Sequence, residues 1–450
     1  MVNAVLEGET VGVRCEGDVI AAIGPEVSPQ AGDETIDAAR APLVPALVNG
    51  HTHGAMTLFR GYGGDLPLMR WLREVVWPVE ARLEAEDVYW GVRLACLEMV
   101  RTGTARFWDM YWQPAAAARA VTDAGLRATI GGPLFDLDGR TAEMQAGVVD
   151  DLEELRGFGP RIERALAPHS IYAVSEELLR WTAAQAAERG LPVHVHLSET
   201  EQEVSDCVEA HGVRPAAYLD RLGLLGEQTV LAHGVWLDRE ELELIAARGC
   251  TVVTNPVANM KLAVGGVFPY PAAREAGVVV GLGTDGAGSN DSLDLLSDLK
   301  AFALIQRHAA GDPTVLPAAE AWAIATGARA PLLGGTRSDV APPVGTEPLL
   351  GGGDRPAGAG AQQFAGSGAR RSANTGPLRS GAPADFLLLR RDAHEIGLGD
   401  LTADLVYSAS GSVVDTTVVA GRVLMRGGVV EGAEEIVAQA AERARRLGIG

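Results

Sequence analysis

The chain has 450 residues, 47% hydrophobic and 22% charged, which supplies a sizeable core and excludes a peptide module or disorder over the whole length. Its 59 acidic residues outnumber 38 basic ones, and the formal charge of −21 repels nucleic-acid phosphates and anionic lipid. The expected partner is therefore a small-molecule substrate, not a nucleic-acid polymer or a membrane, and a homo-oligomer is compatible with this composition.

Cys15, Cys96, Cys207 and Cys250 lie far apart without a C-x-x-C pair, so they spell neither a disulfide framework nor a thiolate zinc site. The first residues lack a basic stretch followed by an apolar one, and no apolar run approaches the roughly 18 residues of a membrane span. A cytoplasmic location is expected.

Residues 1–41 read as short strands broken by Gly and acidic turns, the N-terminal part of a small β-sandwich domain. From residue 42 to 333 the texture changes to short apolar runs at 43–48, 105–109, 127–131, 164–168, 192–197, 229–233, 251–255 and 278–284, with helical patterns between them. Val88, Val92, Ala95 and Met99 share one helical stripe that Gly103 stops, and Ser175 caps a helix over 176–189 with Gly190 beyond it. Eight such runs with intervening helices predict an α/β fold of the (β/α)8 TIM-barrel type. An open doubly wound sheet would carry a Gly-rich phosphate turn after an early strand, and the sequence has none.

Residues 334–383 hold 12 Gly and 6 Pro with little periodic apolar content, which predicts a flexible insertion. Over 384–450 strand patterns return (386–389, 413–419, 423–425) before a helix near 434–446. This last segment completes the β-sandwich domain begun by the N-terminal strands and adds a terminal helix.

Polar residues gather where the barrel strands finish. His51 and His53 follow the first run at a spacing of two, which puts both imidazoles on one side of an extended chain. His169, His196, His233 and Asp285 end the fourth, fifth, sixth and eighth runs. In a barrel the C-terminal strand ends form the active-site face, so these residues converge. A lone strand-end histidine is more often a structural hydrogen-bonder than a ligand, but chance struggles to put the whole set on one face. His194, two residues before His196, is assigned to packing, and His211 to solvent.

Pro45 to His53, His196-Leu197-Ser198-Glu199-Thr200, Leu231-Ala232-His233 and Gly283-Thr284-Asp285-Gly286 resemble the amidohydrolase superfamily. Within it they resemble the S-adenosylhomocysteine and methylthioadenosine deaminases, near the cytosine, guanine and chlorohydrolase groups. The likeness spans 1–330 and 384–430. Two-metal members bridge their ions with a carboxylated lysine, and here no lysine lies between His53 and His196. The resemblance therefore implies one divalent ion, Zn²⁺ or as second choice Fe²⁺, held by His51, His53, His196 and Asp285.

Hydrolysis of a cyclic amidine needs a base for the water, an acid for the ring nitrogen and a proton for departing ammonia. Glu199 can shuttle protons to ring and leaving group, although an acid there can also serve the first turn of a following helix. His233 can orient the hydroxide, and Asp285 both binds metal and accepts a proton. By resemblance Glu80 and His169 contact substrate, with Glu199 and Asp285 also touching it. The branch's substrate-binding arginine aligns with Gly132, and its histidine before Asn-Pro is Thr254; Arg140 is a candidate for a displaced cation.

The implied activity is an aminohydrolase that releases ammonia from adenosine, methylthioadenosine or S-adenosylhomocysteine. A deaminase or dechlorinase of guanine, a pterin, cytosine or an s-triazine is the alternative. A barrel that binds without catalysis is disfavoured by retention of the four ligands and Glu199.

Overall fold

A computed structural model of the chain describes residues 1–64, 66–334, 378–397 and 399–449. The antiparallel strands β1 (Ala4–Leu6), β2 (Glu9–Glu16) and β3 (Val19–Gly24) form one small sheet. The first apolar run then divides into β4 (Leu43–Pro45) and β5 (Leu47–Thr52), with Ala46 between them. β4 leaves the parallel set altogether, because it pairs antiparallel with the strand Phe386–Leu389.

Eight segments follow the helix-and-strand alternation read from the sequence. β5, β6 (Thr104–Met110), β7 (Arg127–Gly131) and, beyond the short β8 (Pro133–Leu134), β9 (Ile162–Arg164) make one four-stranded parallel sheet. Following β10 (Ala167–Pro168), the strands β11 (Val193–Leu197), β12 (Thr229–His233), β13 (Thr251–Thr254) and β14 (Val279–Leu282) make the other. β5, β11 and β12 are buried at every residue, as strands covered on both faces must be.

The two sheets meet at both margins. On one side Leu166 N–H donates to Pro192 O at 2.9 Å and His194 N–H to Leu166 O at 2.9 Å. On the other, Asp285 N–H donates to His51 O at 3.0 Å, and the Asn49 amide donates to Thr284 Oγ1 at 2.7 Å. Val48, Trp108, Ala165, Val230, Val253 and Leu333, drawn from both sheets and the segments after them, share one buried apolar cluster. Helices close against the outside with the expected stops: Ser175 Oγ accepts from Leu178 N–H at 3.2 Å, and Gly103 takes a left-handed φ of 91° at the end of Ala85–Thr102.

Strands from the two ends of the chain lie side by side. β15 (Phe386–Leu389), β16 (Val414–Val419) and β17 (Arg422–Met425) form a four-stranded sheet with β4. Val13, Ile20, Leu43, Phe386, Leu388 and Val418 share one apolar cluster that joins it to β1–β3. Most of the expected insertion, 335–377, lies outside the described residues. Its C-terminal margin is held to β3, where Gly381 N–H donates to Ile20 O and Ile20 N–H to Ala382 O, both at 2.8 Å. The terminal helix Ala433–Leu447 packs on Ala85–Thr102, and the Arg446 guanidinium pairs with the buried Asp87 carboxylate.

Arg127 at the base of β7 ties the two parts of the molecule together, with its Nε donating to Asp385 Oδ2 at 2.9 Å. Both groups are largely buried, so removing one leaves the other charge uncompensated. Arg127→Ala is expected to lower the unfolding free energy by about 3 kcal/mol. Urea titration followed by circular dichroism reads this directly; a change below about 1 kcal/mol would class the pair with solvated ones.

Candidate metal centre and its cleft

Four of the residues singled out at strand ends meet in space. One ligand atom each from His51, His53, His196 and Asp285 lies within 4.8 Å of all the others. His51 Nε2 and His53 Nε2 stand 3.2 and 3.1 Å from Asp285 Oδ1, and His53 Nε2 stands 3.3 Å from His196 Nε2. Among the described residues, His51 Nε2 and Asp285 Oδ1 are buried without a hydrogen-bond partner. Burying such groups unsatisfied is costly, and two ring nitrogens facing each other beside a carboxylate oxygen repel unless a proton or cation joins them.

Each imidazole is aimed by what holds its other nitrogen. His53 Nδ1 lies 2.6 Å from Met110 O and His196 Nδ1 lies 2.6 Å from His169 O, so both carry a proton on Nδ1 and turn Nε2 inward. His51 Nδ1 lies 2.8 Å from His194 Nε2. His194 therefore does more than pack: it is 1% exposed, hydrogen-bonded to a neighbouring candidate ligand, and backed edge-on by Trp108. The spacing of two from His196 put it on the same side of β11, one layer deeper, and that was the signal available for its role.

The field of the site splits the histidines. Burial holds His51 down to about 3 and, with the neighbouring imidazoles, keeps His194 and His196 well below the usual range. Burial also works against a charge on His53, but Asp285, the Met110 carbonyl and Asp109 raise it to about 9. Although burial opposes ionisation of Asp285, the adjoining His51 and His53 hold its carboxyl well below the usual range. An anionic oxygen ringed by imidazole nitrogens is a donor set suited to a divalent cation, which displaces any proton they hold.

Two of the strand ends adopt left-handed backbone, with φ of 73° at His233 and 61° at Asp285. Asp285 is braced on both sides. Thr52 Oγ1 donates to its carbonyl at 2.9 Å, and Ser289 Oγ donates to Oδ2 at 2.5 Å, leaving Oδ1 for the centre. One residue upstream, Asn290 ties Thr284 O at 2.7 Å to the buried Asp298 at 3.0 Å.

Glu199 lies in the same cleft, and the structure separates it from the helix that follows. That helix is Glu201–His211, capped by Thr200, whose Oγ1 accepts from Glu203 N–H at 3.2 Å. Glu203, not Glu199, serves the helix start: its carboxylate accepts from Ser198 N–H and Glu199 N–H, each at 2.9 Å. The Thr200-Glu201-Gln202-Glu203 spacing is that of a capping box and pointed to this residue. Burial raises the Glu199 carboxyl, and burial lifts Glu203 to about 7. His233 Nδ1 donates to Asn259 Oδ1 at 2.8 Å, with Glu199 Oε1 3.9 Å away, so its Nε2 is left for the cleft.

Glu80 and His169 line the same cleft, with Trp71, Trp77, Tyr111, Trp112, Phe135 and Tyr172 as its aromatic walls. Burial raises Glu80 while Tyr111 and the Trp112 indole act against it; the indole N–H donates to Oε2 at 3.4 Å. His169, held down to about 3 by burial, stands 4.5 Å from the Phe135 ring. Arg140 is already engaged, donating from Nε to Asp138 Oδ2 at 2.6 Å. His211 is exposed and stacks on Tyr218.

The sequence profile of the amidohydrolase family matches residues 43–335. A protein of Methanoregula boonei described as 5′-deoxyadenosine deaminase is 44% identical over 92% of this chain and 86% of its own length. One of Moorella thermoacetica described as 5-methylthioadenosine/S-adenosylhomocysteine deaminase is 38% identical over 97% of this chain and 96% of its own. Among solved structures, an adenosine deaminase from Xanthomonas campestris with bound zinc superposes with a TM-score of 0.79 at 30% identity, over 96% of this chain and 92% of that one.

The unaltered protein is expected to carry about one equivalent of metal per chain, and because each proposed ligand supplies one bond, His51→Ala and Asp285→Ala are both expected to lose it. Elemental analysis after gel filtration checks this, with circular dichroism to establish that the variants fold. Two equivalents in the unaltered protein, both needed for activity, would sink the single-ion reading.

Proposed function

The chain belongs to the amidohydrolase family, and from that membership we propose that it is a metal-dependent hydrolytic deaminase of an adenine nucleoside or a 5′-substituted derivative. The observation that carries the reading is the convergence of three imidazole Nε2 atoms and one carboxylate oxygen beside the buried Glu199 carboxyl. We also read the eight parallel segments as one closed (β/α)8 barrel and the two end sheets as a small β-sandwich domain.

His51, His53, His196 and Asp285 would hold one ion, zinc before iron, since imidazole and carboxylate suit both and no lysine lies between His53 and His196 to bridge a pair. When bound, such an ion supplies Lewis-acid charge that lets a water molecule lose its proton near neutral pH. His233, with its Nδ1 proton committed to Asn259, offers the Nε2 lone pair to a hydrogen of the attacking water and so fixes its approach. Asp285 takes the proton that the water gives up as its oxygen bonds to the amino-bearing ring carbon.

Glu199 keeps its proton to higher pH than an exposed carboxyl because it is buried, and it gives that proton to the adjacent ring nitrogen. The proton held at Asp285 then passes to the amino group, the carbon–nitrogen bond breaks and ammonia leaves; the new hydroxyl becomes the ring carbonyl as its proton goes to the Glu199 carboxylate, and the ring nitrogen retains its hydrogen. Glu80, on the wall between the inner cleft and a wider outer cavity, is suited to accept hydrogen bonds from ribose hydroxyls.

Glu199→Gln keeps the shape of the side chain and removes its proton chemistry, so metal and fold should persist while turnover falls on the order of 10² or more. Near-normal turnover in steady-state ammonia release would remove Glu199 from the mechanism.

The substrate class is read by comparing kcat/KM for adenosine, 5′-deoxyadenosine and methylthioadenosine with that for free adenine, guanine and cytosine. Nucleosides should lead, because ribose contacts kept in the transition state raise turnover as well as affinity. A free base ahead of all three nucleosides would overturn the proposal.

A further inference from the structure

Beyond the inner cleft lies a second cavity of about 790 Å³, within the range of small-molecule sites. Six residues line both: Trp77, Glu80, Trp112, Pro133, Phe135 and Tyr172. A nucleoside whose base reaches the candidate metal centre and whose ribose lies beside Glu80 directs its 5′ substituent into this outer space.

The chemistry of that space is distinctive. Trp112 and Phe135 are stacked with ring centroids 5.5 Å apart, and Met144 and Val148 add apolar wall. Its carboxyls outnumber its guanidiniums, with Asp138, Glu143 and Asp151 against Arg73 and Arg140 in addition to Glu80. Arg140 is bound to Asp138, and Arg73 is exposed at the rim, where solvent and salt screen it.

Asp151 stands apart from the other acids. It is half-buried on the helix Thr141–Leu155, and its side chain makes no hydrogen bond or ion pair among the described residues. Its carboxyl leans over the backbone of Gly132, where an added Cβ would come 3.1 Å from Oδ2, so the absence of a side chain there leaves the carboxylate its place in the wall. A half-buried anion without a counter-charge gains from a cation delivered by a ligand, and aromatic faces beside it favour the same charge.

We propose that the outer cavity is a subsite for a 5′ substituent bearing an organic cation such as an ammonium group, with Asp151 as the residue that sets this charge preference and disfavours carboxylate or phosphate at the same position. Burial and the nearby Glu154 and Asp150 lift the Asp151 carboxyl to about 6, which leaves it mostly ionised and in want of compensation at neutral pH. The inference rests on the nucleoside reading of the inner cleft and adds the charge of the substituent to it.

The test uses the metal-loaded enzyme at pH 7.5 with three probes: 5′-amino-5′-deoxyadenosine, neutral 5′-deoxyadenosine and adenosine-5′-carboxylate. The amine should exceed the carboxylate in kcat/KM by about tenfold or more, the scale of one charge-assisted contact. Asp151→Asn should cut that ratio by about tenfold, mainly through KM, and Asp151→Glu should restore most of it. A ratio unchanged in Asp151→Asn, with metal content and circular dichroism as in the unaltered protein, would overturn the subsite while leaving nucleoside deamination standing. If none of the three probes is deaminated, the nucleoside reading fails first and the subsite falls with it.

Discussion

An imidazole buried in this cleft can turn only one lone pair toward its neighbours, and which nitrogen does so depends on what holds the other. Met110 O, His169 O and His194 Nε2 each take the Nδ1 side of one candidate ligand. Two of those partners are backbone carbonyls, so they come from strand register and not from any residue type. A shift of one residue in β6 or in the segment after β10 would remove an acceptor and leave the ring free to rotate.

The carboxylate depends on the same framework. Asp285 sits at a left-handed position just past β14, where its amide bonds to His51 O across the margin between first and last parallel strands. Ser289 occupies one of its oxygens, and Asn290 with the buried Asp298 holds the preceding carbonyl. Asp298, lifted to about 8 by burial, shows how much desolvation the fold accepts to keep this turn in place. The electrostatic centre and the joint between the sheets are thus one structure.

From the centre outward the surroundings grade from polar to apolar and back. The inner cleft is walled by tryptophan, tyrosine and phenylalanine, which keep bulk water from Glu199 and Glu80, whose carboxyls burial raises. The outer cavity meets solvent at Arg73 and Leu137, the latter 71% exposed. The buried carboxyls of the inner cleft and the wider outer space share the walls formed by Trp77, Glu80, Trp112, Pro133, Phe135 and Tyr172.

The sequence by itself determined the alternation of strands and helices, because strands covered on both faces must be apolar throughout and helices must show a stripe and a stop. It also determined which polar residues interrupt that pattern at strand ends, and hence His51, His53, His196, His233, Asp285 and Glu199. What it left undecided was every relation that crosses between strands. The run 43–48 looked continuous, and only pairing with β15 shows that Leu43–Pro45 belongs to another sheet. His194 looked like packing because a one-dimensional pattern fixes the side of a strand but not the depth, and depth is what makes it a partner for His51 across 143 residues. Asn259 and Ser289 carry no spacing that marks them; their contacts with His233 and Asp285 come from distances that exist only once the parallel strands, their loops and the covering helices have packed.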